Sequence, residues 1–430
     1  MRDLLVAFVV FASLPVILFQ PFAGVLMWTW ISLMNPHRLT WGFAYDFPFA
    51  KIVGAVTLLA ALNPAAPKRL PLTRETVVQI FFLSWMLLTT LFAQNQVDAW
   101  EQWDKVMKVQ IIVFVTIVLL TTRERLDWLI WMIVLSIGFY GVKGGIFTIA
   151  GGGVHHVNGP SGSFIDGGNH LGMALVMVIP LMRYLQHVSK SWWVRAGLTT
   201  SMLLTAIATL GTQSRGAVLG LCATMMFLVL KTRRKVLLAL LAVLLIPLTF
   251  ALMPQEWFQR METIRDFRQD GSAMGRINAW WFAVRLASDR PLGGGYECFV
   301  PELFAIYAPD PTDVHDAHSI YFEVLGEHGF VGLSLFLTLA VLTWRSCSRL
   351  KRASRRDPET MWISDLAGMI QVSLVGYAVT GAFIGLAYFD LYYTLIALVV
   401  VAKLILREEM EVRTAASEMD WDKPLVAVSR

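Results

Sequence analysis

Residues 313–344 read DVHDAHSIYFEVLGEHGFVGLSLFLTLAVLTW, a polar stretch with two histidines that turns into a run without charge from Phe330 to Trp344. With Ile320, Tyr321, Val324 and Leu325 ahead of it, the run is long enough to cross a bilayer as a helix, which takes about 20 apolar residues. His318 is then expected in the first turn of a membrane-entering helix. There the free N–H groups and the positive dipole end attract anions and disfavour an imidazolium. A histidine kept neutral can accept a proton, as a general base must. A histidine that merely caps the helix or snorkels at the interface fits the same pattern.

The rest of the chain agrees with a membrane reading. Of 430 residues, 56% are hydrophobic and 16% charged, against about 25% charged in a soluble domain. The net charge of +5 comes from short basic clusters between apolar runs, so it implies no nucleic-acid partner. Cys222, Cys298 and Cys347 are scattered and build neither a disulfide framework nor a zinc site. The first residues, MRDLLVAFVVFASLPVILF, read as an uncleaved first span.

Three short apolar stretches, 4–19, 22–34 and 49–62, are interrupted by Pro15, Pro21, Pro36 and Pro48, so at least one is a broken or partial crossing. Clearer spans follow at about 76–92, 99–120, 128–150, 170–187, 196–210, 216–230, 236–253, 319–344, 362–386 and 389–406. The fold class is therefore an all-α polytopic membrane protein of about 12 spans, or 13 with the N-terminus outside. It divides into N-terminal spans (1–253), a loop with amphipathic helices (254–318), C-terminal spans (319–406) and a tail (407–430). Basic clusters around Arg69, Arg123, Arg195, Arg233 and Arg349 recur at alternate connections and place those on the cytoplasmic side. Loops 93–98, 151–169, 211–215, 254–318 and 387–390 then face outward. In the long loop, PQEWFQRMETIRDF and SAMGRINAWWFAVRLASD read as helices, the second capped by Ser272, and Trp257, Trp280, Trp281 and Phe282 suggest that both lie on the membrane surface.

Several polar residues break this pattern. Arg215 is a lone charge in a short outward loop, readable as a functional group or as an arginine snorkelling to lipid phosphate. The long loop holds Arg260, Arg265, Arg268, Arg276, Arg285 and Arg290 but no lysine, which suits bidentate grip on phosphate oxygens; several of them are solvated helix-face residues paired with Glu256, Glu262, Asp266 or Asp270, and Arg276 stands in the first turn of its helix. Asp390 opens the last span on the same side as His318, either as a helix N-terminal aspartate or as the carboxylate that orients a histidine or pairs with an arginine. His315, Asp316 and His318 lack a second ligand set with metal spacing, and His155–His156 adds little, so no metal is expected. Gly293–Gly295 reads as a turn or, less simply, a phosphate cradle.

Together, SRGA at a span boundary, GRINAWWFA followed by PLGGGYECF, and HSIYFEVLGEHGFVG opening the next span resemble the bacterial O-antigen ligase and polymerase family over residues 211–332. The segment GGGVHHVNGPSGSFIDGGNHLG looks like that family's loop with an asparagine before a span, here Asn169. Within the superfamily the chain looks most like the putative O-glycosylation ligases found beside exosortase systems. The resemblance implies a fold akin to the GT-C glycosyltransferases, sited in the bacterial inner membrane with a periplasmic active site. It implies metal-free and cofactor-free transfer from undecaprenyl diphosphate to a lipid A–core sugar in lipopolysaccharide biosynthesis. By motif, His318 corresponds to the essential histidine, Arg215 and Arg276 to the essential arginines, and Asp390 more loosely to an acidic residue; the family's asparagine after the histidine is Ser319 here. A protein O-glycosylation ligase, a polymerase and a lipid-linked glycan transporter remain as alternatives. Direct displacement at the anomeric carbon, with a base and cationic groups for the leaving diphosphate, would invert its configuration.

Overall fold

The computed structural model describes residues 1–63, 70–231 and 271–421, with isolated positions between 247 and 258. Most of the expected span at 236–253 and of the helix at 254–267, with Arg260, Arg265 and Arg268, lies outside the described residues. All regular structure described is helical, as lipid demands of a chain that must satisfy its own backbone hydrogen bonds. The N-terminal helices are α1 (Arg2–Phe19), α2 (Pro21–Met34) and α3 (Phe49–Ala61), the last two short as the prolines require. Then come α4 (Arg74–Leu91), α5 (Gln96–Leu119), α6 (Arg123–Ala150), α7 (Gly167–Val188), α8 (Trp192–Gly211) and α9 (Arg215–Lys231). After the long loop's α10 (Gly271–Asp289) and α11 (Pro301–Tyr307) follow α12 (Ile320–Ser354), α13 (Met361–Gly381) and α14 (Asp390–Trp421). Six described helices are long and apolar enough to cross a membrane, and α2 and α3 are shorter apolar ones.

The two central helices are α7, buried continuously from Leu171 to Leu181, and α14, buried from Leu391 to Val401 apart from half-buried Thr394. A helix apolar all round must be enclosed by others. Close approach elsewhere rests on small residues: a β-carbon at Gly145 of α6 would lie 2.3 Å from the Leu204 carbonyl oxygen of α8. By contrast α1 turns Leu4 and Phe8 outward, 67% and 71% exposed, as a lipid-facing helix would.

The connections segregate into two groups, as the alternation of basic loops predicts. At one end Gln94 N–H donates to Gly294 O (2.8 Å), Val157 N–H to Gly211 O (2.9 Å), and Gly168 abuts Thr212 O. At the other, Arg123 lies over the Trp362 ring (4.9 Å), Tyr184 donates to Asp127 (2.6 Å), Lys231 to Gln371 (2.9 Å) and Lys403 pairs with buried Glu75 (2.7 Å). The tail is not separate from the last span: α14 runs unbroken through residue 406 to Trp421.

The loop helix α10 is not a surface helix with an aromatic face. Phe282 is fully buried in a cluster with Phe304 and Leu286, Trp280 is half-buried, and Trp257 is buried with Nε1 donating to Leu210 O at 3.2 Å. Only Trp281 of the four is largely exposed, at 54%. Ser272 lies within α10 and not before it.

Candidate active site

The segment leading to His318 is laid along α10 and tied to it through its backbone. Asn278 Nδ2 donates to the carbonyls of Asp310 (2.8 Å) and Asp313 (2.9 Å), and its Oδ1 accepts from Asp310 N–H (2.8 Å). Trp280 Nε1 donates to Ala317 O (2.8 Å), and its ring stacks on Phe322 at 4.8 Å and 9°. Asn278 and Trp280 thus hold the backbone on either side of His315 and up to the residue before His318. His315 pairs with Asp313 (2.8 Å) and packs over Gly275, where a β-carbon would lie 2.4 Å from the imidazole. A side chain at the glycine of GRINAW would therefore displace the His315 ring from this position.

His318 is not in the first turn of α12. Ser319 is the N-cap, Ile320 the first helical residue, and His318 itself has φ +41°, the left-handed region that non-glycine residues seldom adopt. The chain makes a sharp corner there, so the side chain is aimed by the corner and not by helical periodicity. Burial draws the imidazole pKa below its usual 6.5; the Asp316 carboxylate opposes this, while the charges of Arg276 and His170 add to it. His318 is thus held neutral at physiological pH, and mainly by desolvation, where the sequence suggested the helix field.

Arg276 is a half-buried residue of α10 whose charge reaches His318. Arg215 is the first residue of α9, behind buried Ser214, whose Oγ accepts from Ala217 N–H (3.3 Å), so SRGA spells a capped helix start. The next residue, Gly216, is closely packed: its β-carbon would lie 3.1 Å from Phe383 Cβ, in the turn between α13 and α14. The same turn carries Gly385, whose β-carbon would lie 3.4 Å from Glu323 Oε2 and 3.8 Å from His318 Cα. Asn169 is an exposed first-turn residue of α7, beside His170 and Gly168; Gly168 packs on the 212 carbonyl that precedes Arg215. The starts of α7, α9 and α12 therefore gather around the histidine corner and bring their positive dipole ends to one place.

Asp390 stands apart from this group. It is 5% exposed, and Oδ2 accepts from Ser32 of α2, so it bonds to neither the histidine nor an arginine. Its other oxygen, Oδ1, is buried and has no hydrogen-bond partner among the described residues. The three glycines at 293–295 cradle no ligand: Gly294 and Gly295 N–H donate to Gly326 O (2.8 Å) and Glu327 O (2.9 Å). Those carbonyls are released because α12 is broken at Gly329, with φ +65° and ψ −171°.

Two glutamates inside α12, which the sequence reading did not single out, bond segments around the site. Glu323 Oε2 accepts from Ala387 N–H (3.0 Å), and Glu327 accepts from Glu297 N–H (3.1 Å) and from Tyr388 Oη. The buried imidazole of His328 bonds Thr89 (2.7 Å), and Trp85 donates to its carbonyl (2.8 Å). The signal was present: carboxylates four apart in a membrane helix are costly, and such charges mark functional or structural sites. Among the described residues, no group of three or more His, Cys, Asp and Glu side chains is arranged to hold a metal ion.

A multi-pass helical membrane protein with a histidine, arginines and helix starts gathered at one end is thus defined. Residues 200–337 match the family model described as O-Antigen ligase, and residues 1–190 match one described as Family of unknown function (DUF5935). The first match spans Arg215, Arg276 and His318 and supports the chain as a member of the O-antigen ligase/polymerase superfamily, with ligase- or polymerase-type activity generally. None of the curated proteins matches the chain.

Proposed function

We propose that the protein is an O-antigen ligase that transfers a glycan from undecaprenyl diphosphate to a lipid A–core sugar at the periplasmic face of the inner membrane. The observation that carries this reading is the half-buried His318, drawn toward its neutral form beside the cation of Arg276. Neutral His318 takes the proton of the acceptor hydroxyl; the acceptor oxygen forms a bond to the anomeric carbon while the bond from that carbon to the diphosphate oxygen breaks. Back-side attack inverts the anomeric centre. Arg215 and Arg276 take up the charge that develops on the departing diphosphate, the task a divalent ion performs elsewhere. Asn169 supports the donor from the start of α7, and Asp390 supports the bundle through Ser32. No metal or cofactor is required on this reading, and membrane lipids are the only other partners.

The test is transfer by purified protein from a lipid-linked glycan to lipid A–core, to a protein hydroxyl or to a second glycan. Labelled lipid A–core supports the ligase reading. Modification of protein would place the chain with the exosortase-associated O-glycosylation ligases, and glycan extension would make it a polymerase. Glycan movement across vesicles without any transfer would make it a transporter.

A further inference from the structure

The turn at 382–389, between α13 and α14, touches both halves of the candidate site. Phe383 and Ile384 press on Gly216, the neighbour of Arg215, at 3.1 Å and 3.6 Å from its would-be β-carbon. Gly381 meets Ile320 at the start of α12, and Gly385 sits between the Glu323 carboxylate and the backbone of His318. Backbone bonds close the beginning of the turn, from Phe383 N–H to Thr380 O (3.0 Å), and its end, from Tyr392 N–H to Phe389 O (3.1 Å). Its middle is held by side chains: Tyr377 donates to the carbonyls of Leu386 (3.1 Å) and Ala387 (3.2 Å), Tyr393 donates to Ala387 O (3.2 Å), and Glu323 accepts from Ala387 N–H (3.0 Å). The tyrosines reach this turn from α13 and α14, the helices it joins, whereas Glu323 reaches it from α12, the helix that His318 precedes.

We propose that Glu323 is a positioning residue for transfer: by anchoring Ala387 it fixes the turn that sets the His318 corner and the start of α9, with Arg215, against one another. The inference rests on the reading of His318 and Arg215 as working groups. A side-chain oxygen at position 323 can accept this peptide N–H bond whether charged or neutral, so the anchor depends on where that oxygen is held. Its loss leaves the Ala387 N–H unmet, and of the side-chain bonds that tie the turn to α12 only that of Tyr388 to Glu327 is then left among the described residues. Displacements of about 1 Å between reacting groups cost about 100-fold in rate.

The test uses the purified full chain with Glu323→Ala, Glu323→Gln and, as a control, Tyr321→Phe. Tyr321 also joins α12 to α13, through Ala378 O at 2.9 Å, but away from the turn's middle. Hydrogen–deuterium exchange over peptides covering 382–389 and the kcat and donor KM of transfer are read together. Glu323→Ala should raise exchange in that turn, lower kcat about 100-fold and raise donor KM. Glu323→Gln, whose amide oxygen can accept the same bond, should restore both exchange and rate close to wild type, and Tyr321→Phe should alter neither. Equal losses in the alanine and glutamine variants with unchanged exchange would overturn positioning and make Glu323 a charge that acts on substrate itself. Wild-type exchange and turnover in Glu323→Ala would overturn the anchor altogether. Full turnover in His318→Ala is a separate failure, of the site reading, and leaves the exchange comparison to decide the anchor.

Discussion

Replacing Gly329 with alanine strikes the break in α12 that seats the glycine loop. Its φ of +65° with ψ of −171° is backbone that only glycine adopts freely. Forcing alanine there costs about 1–3 kcal/mol. The added β-carbon would also lie 2.3 Å from Pro291 O, too close for any real contact, and a tight 3.2 Å from Gly293 N, both backbone atoms that cannot rotate away. Relief requires the 291–295 loop to withdraw, which loosens the bonds from Gly294 and Gly295 to Gly326 O and Glu327 O. Each buried carbonyl left unmet costs about 1–3 kcal/mol. The sum, about 3–9 kcal/mol, is comparable with the whole stability of an ordinary domain, about 5–15 kcal/mol. Gly368→Ala is the control, a helical position with open space around its would-be β-carbon, where alanine should be neutral or stabilising by up to about 1 kcal/mol. Thermal aggregation of detergent-purified protein, followed by size-exclusion chromatography, compares the two. A Gly329→Ala protein that survives heating as well as Gly368→Ala would refute both the conformational and the steric argument.

The remaining predictions concern transfer. His318→Ala should lower turnover about 100-fold or more with folding intact, whereas His315→Ala, whose partner is Asp313, should keep most activity; equal losses would point to a paired-histidine site. Because only neutral imidazole accepts a proton and the His318 pKa is depressed, the rate should hold through neutral pH and fall only below pH 6.5. Asp316→Asn removes a charge that raises this pKa and should move the acid limb still lower; a limb that stays fixed would separate it from His318. Arg215→Lys and Arg276→Lys should each lose about 100-fold in kcat with weaker donor binding, since lysine keeps charge but not the planar fork; near-native turnover in both would reduce them to diffuse charge or anchors. Transfer in detergent should survive saturating chelator, and a loss restored by magnesium or manganese would replace the arginines with a bound ion.

Hydropathy and charge alone placed the helices closely, because a membrane helix satisfies its own hydrogen bonds and answers to local composition. The spans expected at 99–120 and 170–187 are Gln96–Leu119 and Gly167–Val188, and the alternation of basic loops matches the two groups of connections. The same local reading named His318, Arg215 and Arg276 from charges that broke the pattern. Tertiary structure decided what those residues meet. His318 sits before the helix and not within it because the corner is set by Asn278 and Trp280 gripping backbone from a distant helix. Asp390 looked equivalent to His318 in sequence, yet packing against α2 gives it Ser32 as partner. Glu323 and Glu327 bond peptide N–H groups at Ala387 and Glu297, and every residue type presents such a group, so nothing in the partner's sequence could announce the contact. Composition is a property of each segment and fixes which segments cross the membrane; the site is made where loops far apart in sequence are brought together, and only the packing of the helices beneath them determines that.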